Sequence, residues 1–202
     1  MSAGIASVLA AYLIGGIPFG LLLYRAVSGG DIRGVGSGNI GATNVARALG
    51  WRIGVITLLF DAGKGAAAVL IGRAVTGDPG WASAAGLGAV AGHCFPLFLS
   101  FRGGKGVATG CGAFAVLHPA AMGVALVIFA AAVALTRMVS AGSILGALAF
   151  PAATTLMGSP AALSLCSAAA SALVVARHGG NIRRIAAGRE RRIGGGPGEE
   201  RS

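Results

Sequence analysis

Two cations and a pair of glycines in the segment 92–110, GHCFPLFLSFRGGKGVATG, could bind an anion. Arg102 and Lys105 flank Gly103 and Gly104, so two positive charges lie within four residues. Glycine tolerates positive φ and carries no Cβ, so backbone N–H groups in such a loop can converge on an oxyanion. The segment therefore predicts a phosphate cradle at a membrane edge. The alternative is a short positively charged loop between two membrane spans, with no ligand.

A second glycine-rich segment, GSGNIGATNVAR at 36–47, offers neutral hydrogen-bonding groups beside a cation. Its polar side chains are Ser37, Asn39, Thr43, Asn44 and Arg47. The string also matches G-x-G-x-x-G, but it does not lie in a soluble βαβ unit, so a dinucleotide site is a weak interpretation. A glycine-rich turn leading into a helix capped at Thr43 or Asn44 would explain some of these residues. The crowding of polar groups beside the forked guanidinium of Arg47 favours a ligand loop.

Three ionisable residues interrupt apolar sequence. Asp61 and Lys64 are three residues apart on one predicted helix face, so we expect them to pair, for structure or for function. Because they lie about 15 to 20 Å along that helix from the loop end, Lys64 can support a site only if the helix is broken or the site is sunken. His93, near the end of the next apolar segment, is more typical of a hydrogen-bonded helix residue than of a base.

The last polar segments add further candidates. Ser140 and Ser143 follow Arg137 and could cap a helix or donate to a phosphate. His178, Asn181 and Arg184 share one face if their segment is helical, which favours a site. The alternative is a basic juxtamembrane segment that binds anionic lipid at about 1 kcal/mol per cation.

Composition indicates an integral membrane protein. The chain has 202 residues, of which 55% are hydrophobic and 11% are charged, and its formal net charge is +10. Fourteen of the 16 lysines and arginines fall in four places, 25–52, 102–105, 137 and 177–201, as expected for cytoplasmic loops. Nothing predicts a nucleic-acid partner or a metal site, because aromatic platforms and ligand spacing are lacking. The three cysteines resemble small buried hydrophobes.

The apolar stretches predict an all-α, polytopic fold of about seven transmembrane helices, some short or broken. They are 3–24 with a kink at Pro18, 51–75, 81–101, two short helices within 107–136 broken at His118–Pro119, 144–157 and 161–176. This count places the N-terminus outside and the C-terminus in the cytoplasm, although five or six spans remain possible. Residues 1–192 are expected to form one domain, followed by a flexible Gly/Glu-rich tail at 193–202.

The motifs together resemble the bacterial acyl-phosphate-dependent glycerol-3-phosphate acyltransferase family. The resemblance covers residues 1 to about 192 and includes the 36–47 loop, Asp61-Ala-Gly-Lys64-Gly65, the 92–110 segment, Arg137-Met-Val-Ser140 and His178-Gly-Gly-Asn181-Ile-x-Arg184. Arg102 stands where lysine is expected in most relatives, which keeps the charge but alters phosphate geometry.

This resemblance implies acyl transfer from a long-chain acyl phosphate to the 1-hydroxyl of glycerol 3-phosphate, without a cofactor. Lysophosphatidic acid and phosphate would result, in phospholipid biosynthesis at the bacterial cytoplasmic (inner) membrane, with bilayer lipid around the protein and a functional link to the enzyme that makes acyl phosphate. The implied catalytic residues are His178, Asn181 and Lys105. The implied substrate-binding residues are Ser37, Asn39, Thr43, Asn44, Arg47, Lys64, His93, Arg102, Gly103, Gly104, Gly106, Ser140 and Ser143.

The chemistry of these residues is compatible with that reaction. An acyl phosphate is already activated, so the protein must align hydroxyl and carbonyl and neutralise two phosphates. The base could be a protein group or a substrate phosphate oxygen. The rival function is a transporter or channel for phosphate-bearing anions, which would predict an inverted repeat and charges in both membrane halves. No convincing repeat is present, and the cations are nearly all on one predicted side.

Overall fold

The computed structural model describes residues 1–194, and regular structure in that range is helical, with no strand. Its α-helices are α1 (Ser2–Gly15), α2 (Phe19–Ser28), α3 (Ala42–Leu49), α4 (Trp51–Thr76), α5 (Pro79–Cys94), α6 (Val107–Leu117), α7 (Pro119–Thr136), α8 (Val139–Leu156), α9 (Ala161–Arg177) and α10 (Gly179–Ala186). Short 3-10 helices lie at Ile32–Gly34 and Leu97–Leu99. Most of the predicted tail, from residue 195 onwards, lies outside the described residues, and the domain limits stay a prediction.

Five helical stretches of the described chain are long and apolar enough to cross a membrane. They are Ser2–Ser28, Trp51–Thr76, Pro79–Leu99, Pro119–Thr136 and Val139–Leu156. A sixth span results if α9 and α10, which are bent by 58° at their junction, count together. The described residues therefore confirm the all-helical fold and contain five or six candidate membrane spans. The predicted seven also counted α6, whose 11 residues rise only about 16 Å.

The predicted kink at Pro18 is a full break between two helices, and the predicted break at Pro119 is also present. Gly16–Pro18 separates α1 from α2, and the Ile17 carbonyl in this break accepts a hydrogen bond from Lys64 Nζ at 2.6 Å. Lys64 Nζ also lies 2.7 Å from Asp61 Oδ1, so the expected ion pair forms within the unbroken α4. At the second break, Pro119 begins α7 and the His118 side chain accepts from the N–H of Ala121 at 3.1 Å.

Glycines allow the helices to approach closely, as is common where helices pack in lipid. A Cβ at Gly65 would clash with the Thr109 carbonyl oxygen, and one at Gly112 would clash with the Ala62 carbonyl oxygen. These contacts press α4 against α6. Gly92 does the same between α5 and α1, where a Cβ would meet the Tyr12 carbonyl oxygen.

The main apolar core lies between the helices from α4 to α9. Its members include Val69, Val90, Phe114, Phe150 and Val174, all of them buried. The polar loops that the sequence singled out lie together at one end of this core, between the start of α3, the start of α6, the start of α8 and the junction of α9 with α10.

Candidate active site

A cavity of about 390 Å³ brings most of the predicted site residues together. Those that line it are Ser37, Asn39, Thr43, Asn44, Arg47, His93, Lys105, Gly106, Ser140, Ser143, His178 and Asn181. Four others, Lys64, Arg102, Gly103 and Gly104, are not among the lining residues, and the Arg102 side chain is exposed. The cavity is also lined by Asp61, Arg184, Glu190 and Arg191.

Asn44 organises the loop that precedes α3. Its buried side chain accepts from the N–H of Ser37 at 3.0 Å and donates to the carbonyls of Val35 and Asn39 at 2.9 Å each. Gly36 has φ +60°, a conformation that side chains disfavour, and a Cβ there would also meet the Asn44 amide oxygen. The amide of Asn44 therefore holds the loop, and the hydroxyl of Ser37 is left for other partners.

Asn39 and Gly41 set the start of α3. The Asn39 side chain accepts from the N–H of Gly41 at 2.8 Å, which forms a local turn, and Gly41 is the N-cap residue. The helix therefore begins one residue before Thr43, so the predicted caps at Thr43 and Asn44 are not used as caps. Thr43 and Arg47 lie four residues apart on α3, and both face the cavity.

The Gly103–Gly104 pair is packed between two helices and does not face the cavity. The N–H groups of Gly103 and Gly104 donate to the carbonyls of Cys94 and His93, at 3.2 and 3.0 Å. Their carbonyls accept from Arg177, at 2.8 Å to Nη2 and 3.0 Å to Nε. A Cβ at Gly104 would clash with the His93 ring. Both glycines therefore serve close packing, and their N–H groups already have partners.

Lys105 begins a hydrogen-bonded network that crosses the cavity. Its Nζ donates to Asn181 Oδ1 at 2.6 Å, and Asn181 Nδ2 donates to Glu190 Oε1 at 2.6 Å. The same Glu190 oxygen accepts from Ser140 Oγ at 2.7 Å, while Oε2 accepts from Arg184 Nε at 2.8 Å. Three donors from two helices, α8 and α10, thus converge on one carboxylate that is 8% exposed.

The network fixes the charges of its two ends. Burial raises the pKa of Glu190, but hydrogen bonds from Asn181, Ser140 and Arg184 outweigh that effect and hold the pKa below its ordinary value, so the carboxylate is ionised. Burial lowers the pKa of Lys105 to about 8, although the Glu190 charge opposes the shift. Lys105 is therefore charged at neutral pH and loses its charge under mildly alkaline conditions.

His178 offers an acceptor nitrogen to the cavity. The residue is 2% exposed, and its Nδ1 lies 2.7 Å from the Val174 carbonyl oxygen. A carbonyl can only accept, so Nδ1 carries the proton and neutral His178 presents an unprotonated Nε2. A hydroxyl of a bound substrate can donate to that nitrogen.

A layer of buried polar groups lies beneath the cavity. His93 Nδ1 is 3.2 Å from Thr109 Oγ1 and 3.6 Å from Asp61 Oδ1, and Asp61 pairs with Lys64. Asp61 and His93 reach the cavity wall, whereas Lys64 lies behind them. Because α4 is continuous, the cavity itself must be sunken to reach Asp61.

An apolar groove of about 310 Å³ continues from the polar cavity. The two spaces share Leu58, Gly106, Val107, Ala108, Phe129 and Ser143. The groove runs on past Phe114, Met122 and Phe150, between α4, α6, α7, α8 and α9. A ligand with an anionic head and a hydrocarbon chain would match both spaces.

Two contributors were missing from the sequence prediction. Glu190 is the one acid within the basic run 189–192, which is a signal in the sequence that its side chain has a cationic or polar partner. Arg177 precedes His178 and is, in the sequence, one of several cations of the tail. Within the described residues there is no cluster of three histidines, cysteines or acids that could hold a metal ion.

The chain is similar to known proteins over nearly its whole length. A family model described as glycerol-3-phosphate acyltransferase matches residues 5–188. A glycerol-3-phosphate acyltransferase of Anaeromyxobacter dehalogenans is 47% identical over 191 residues, covering 92% of this chain and 95% of the relative. One of Geobacter sulfurreducens is 46% identical over 183 residues, covering 91% and 94%.

Solved structures have the same fold. The crystal structure of PlsY (YgiH), an integral membrane glycerol 3-phosphate acyltransferase, in its glycerol 3-phosphate form superposes with a TM-score of 0.90, at 37% identity and 96% coverage of both chains. Its lysophosphatidic acid form gives a TM-score of 0.88 at 35% identity, also with 96% coverage of both chains.

Proposed function

The chain belongs to the glycerol-3-phosphate acyltransferase family, and we propose that it transfers a fatty acyl group from a long-chain acyl phosphate to the 1-hydroxyl of glycerol 3-phosphate. The products are lysophosphatidic acid and inorganic phosphate. One observation carries the proposal: a cation-lined polar cavity opens directly into an apolar groove. The solved relatives support it, since their two forms are named for glycerol 3-phosphate and lysophosphatidic acid.

Glycerol 3-phosphate binds, in this proposal, between α3 and the start of α6. The phosphate lies beside the Arg47 guanidinium, the Lys105 ammonium and the Ser37 hydroxyl, which all line the cavity. A forked guanidinium and a point-charge ammonium together can neutralise a dianion. The 1-hydroxyl then faces His178 and Asn181.

The acyl phosphate enters from the groove. Its chain lies along Phe129 and Phe114, and its phosphate lies beside Thr43, Ser143 and the first turn of α6. Asn39, Asn44, Gly103 and Gly104 support this site by holding the loops, as their hydrogen bonds indicate. Ser140 acts through its bond to Glu190.

The reaction needs alignment and charge neutralisation. His178 Nε2 takes the proton of the 1-hydroxyl as its oxygen attacks the acyl carbonyl carbon, and the bond from that carbon to the phosphate oxygen breaks. Phosphate leaves with its electron pair, and the cations beside it stabilise the developing charge. The mixed anhydride has a good leaving group, so no covalent intermediate on the protein is required. A substrate phosphate oxygen is the alternative base.

We further propose that α6 and α9 complete seven membrane segments, with the N-terminus outside and the cavity on the cytoplasmic side of a bacterial inner membrane. The concentration of cations at the loops that line the cavity supports this orientation. An enzyme that makes acyl phosphate would supply the donor.

A reconstituted assay tests the proposed reaction. Detergent-purified protein is given palmitoyl phosphate and radiolabelled glycerol 3-phosphate, and lipid products are separated by thin-layer chromatography. Labelled lysophosphatidic acid is expected with palmitoyl phosphate and not with palmitoyl coenzyme A. No product from folded protein would refute the proposal. Uptake of the label into proteoliposomes without acylation would instead support the transport alternative.

A further inference from the structure

Arg177 is the last residue of α9, and its guanidinium is hydrogen-bonded to the loop that contains Gly103 and Gly104. Nη2 donates to the Gly103 carbonyl at 2.8 Å and Nε to the Gly104 carbonyl at 3.0 Å. The centre of the guanidinium lies 5.4 Å from the centroid of the Phe95 ring, close enough for a cation–π contact. Arg177 is not among the residues that line the polar cavity.

The Gly103–Gly104 loop leads directly into Lys105. The opposite edge of the Gly103–Gly104 pair is bonded through its N–H groups to the end of α5, at His93 and Cys94. Arg177 thus completes the partners of all four backbone polar groups of the pair. Without it, two buried carbonyls would lose their partners, and the loop could move relative to α5.

Both the backbone and the side chain of Lys105 are positioned by residues of the segment 177–181. Its backbone follows the loop that Arg177 holds, and its ammonium donates to Asn181, four residues after Arg177. His178 lies between Arg177 and Asn181 in the sequence and is buried at the junction of α9 and α10. Through its hydrogen bonds to the Gly103–Gly104 loop, Arg177 therefore fixes the position of Lys105 relative to His178.

We infer that Arg177 is a positioning residue for the acyl transfer, which acts by holding the Lys105 ammonium in register with His178 and the substrate phosphate. This inference rests on the proposed function. Arginine suits the task because its planar fork can reach two adjacent carbonyls at once. A lysine at this position keeps the charge but lacks the rigid fork that fits two adjacent carbonyls.

A double-mutant cycle tests the inference. Arg177→Lys is made in the natural chain and in a Lys105→Met chain, and kcat/KM for glycerol 3-phosphate is measured for all four proteins. In the natural chain we expect Arg177→Lys to lower kcat/KM about tenfold or more. In the Lys105→Met chain we expect a further loss below about twofold, because residues that act through one another are not additive.

The control is Arg73→Lys, at an exposed position near the far end of α4, which is expected to leave kcat/KM unchanged. Melting temperature and size-exclusion profile are recorded for each variant. Unchanged kcat/KM in Arg177→Lys would overturn the inference, as would an equal fold-loss in both backgrounds, since that is the mark of a general structural role.

If Arg177→Lys does not fold, Arg177→Gln, whose amide can donate to one carbonyl, takes its place in the cycle with the same criteria. Failure of the inference is distinct from failure of the proposed function. In the first case the natural chain makes labelled lysophosphatidic acid and the cycle is additive, whereas in the second the natural chain makes none.

Discussion

Removing the Lys105 ammonium should lower the specificity constant and leave the fold intact. Lys105→Met keeps the unbranched stem of the side chain but deletes the charged nitrogen, which lies 2.6 Å from Asn181 Oδ1 in a residue that lines the polar cavity. A hydrogen bond to a charged group contributes about 1.5 to 3 kcal/mol. With 1.36 kcal/mol for each factor of ten, kcat/KM for glycerol 3-phosphate should fall roughly 10- to 150-fold.

The same residue should set the alkaline limit of activity. Burial lowers the pKa of Lys105 to about 8, and the protonated form is the one that binds phosphate. As pH rises through about 8, kcat/KM should therefore fall by up to tenfold per pH unit. Lys105→Arg should abolish this decline, because a guanidinium stays charged throughout this pH range.

The assay is the radiolabelled glycerol 3-phosphate reaction, run from pH 6 to pH 10 (about the range in which Lys105 titrates) with Arg73→Lys as the matched control. Melting temperatures at each pH separate loss of activity from loss of fold. Two results would refute the reasoning. One is a Lys105→Met protein with natural kinetics, and the other is an alkaline decline that Lys105→Arg retains.

Three further changes test other parts of the site. His178→Ala should lower kcat by on the order of 10² or more with little change in KM, because it removes the proposed proton acceptor. Single-turnover kinetics measure the loss in the chemical step. An unchanged rate would assign the base to a substrate phosphate. Gly104→Ala should lower the melting temperature because its Cβ would clash with His93, whereas Gly63→Ala, which meets nothing within 4 Å in α4, should leave it unchanged or raise it; equal melting temperatures would contradict the packing role. Ala147→Trp should fill the apolar groove and slow palmitoyl phosphate more than an eight-carbon acyl phosphate, and an equal effect on both donors would place the chain elsewhere.

Most helices could be predicted because their physical signals are local. Long apolar runs fixed the existence of the spans, and Pro18 and Pro119 marked breaks that the structure contains. The number of spans was harder to predict, since α6 and α9 are too short to decide by length whether each crosses the membrane.

The order of the predicted helices was enough to predict most of the residues that line the polar cavity, but not the role of each residue. Gly103 and Gly104 have the composition of a phosphate cradle, yet their N–H groups bond to His93 and Cys94. Nothing in the local sequence shows that the end of α5 returns to that loop. Hydrogen bonds between segments far apart in sequence decide which glycines face a ligand.

Glu190 and Arg177 were missed for a related reason. Each is one charged residue among several in a basic segment, so composition gives it a solvated or lipid-facing role. In the structure, Glu190 accepts from Ser140, 50 residues before it, and Arg177 donates to Gly104, 73 residues before it. Contacts over such separations leave no periodic pattern in a single sequence.

The shortness of α6 bears on the depth at which the proposed reaction would take place. A helix of 11 residues rises about 16 Å, roughly half of a hydrocarbon layer about 30 Å thick. With its first turn at the polar cavity and its flank along the apolar groove, this half-length helix would, in the proposed orientation, form a step at which water and hydrocarbon meet. In the proposed reaction, glycerol 3-phosphate reaches this step from the water. The acyl phosphate reaches it by lateral diffusion, without leaving the leaflet. Diluting the acyl donor with other lipid in a vesicle should accordingly slow turnover, because it lowers the surface density of the donor while its bulk concentration stays constant.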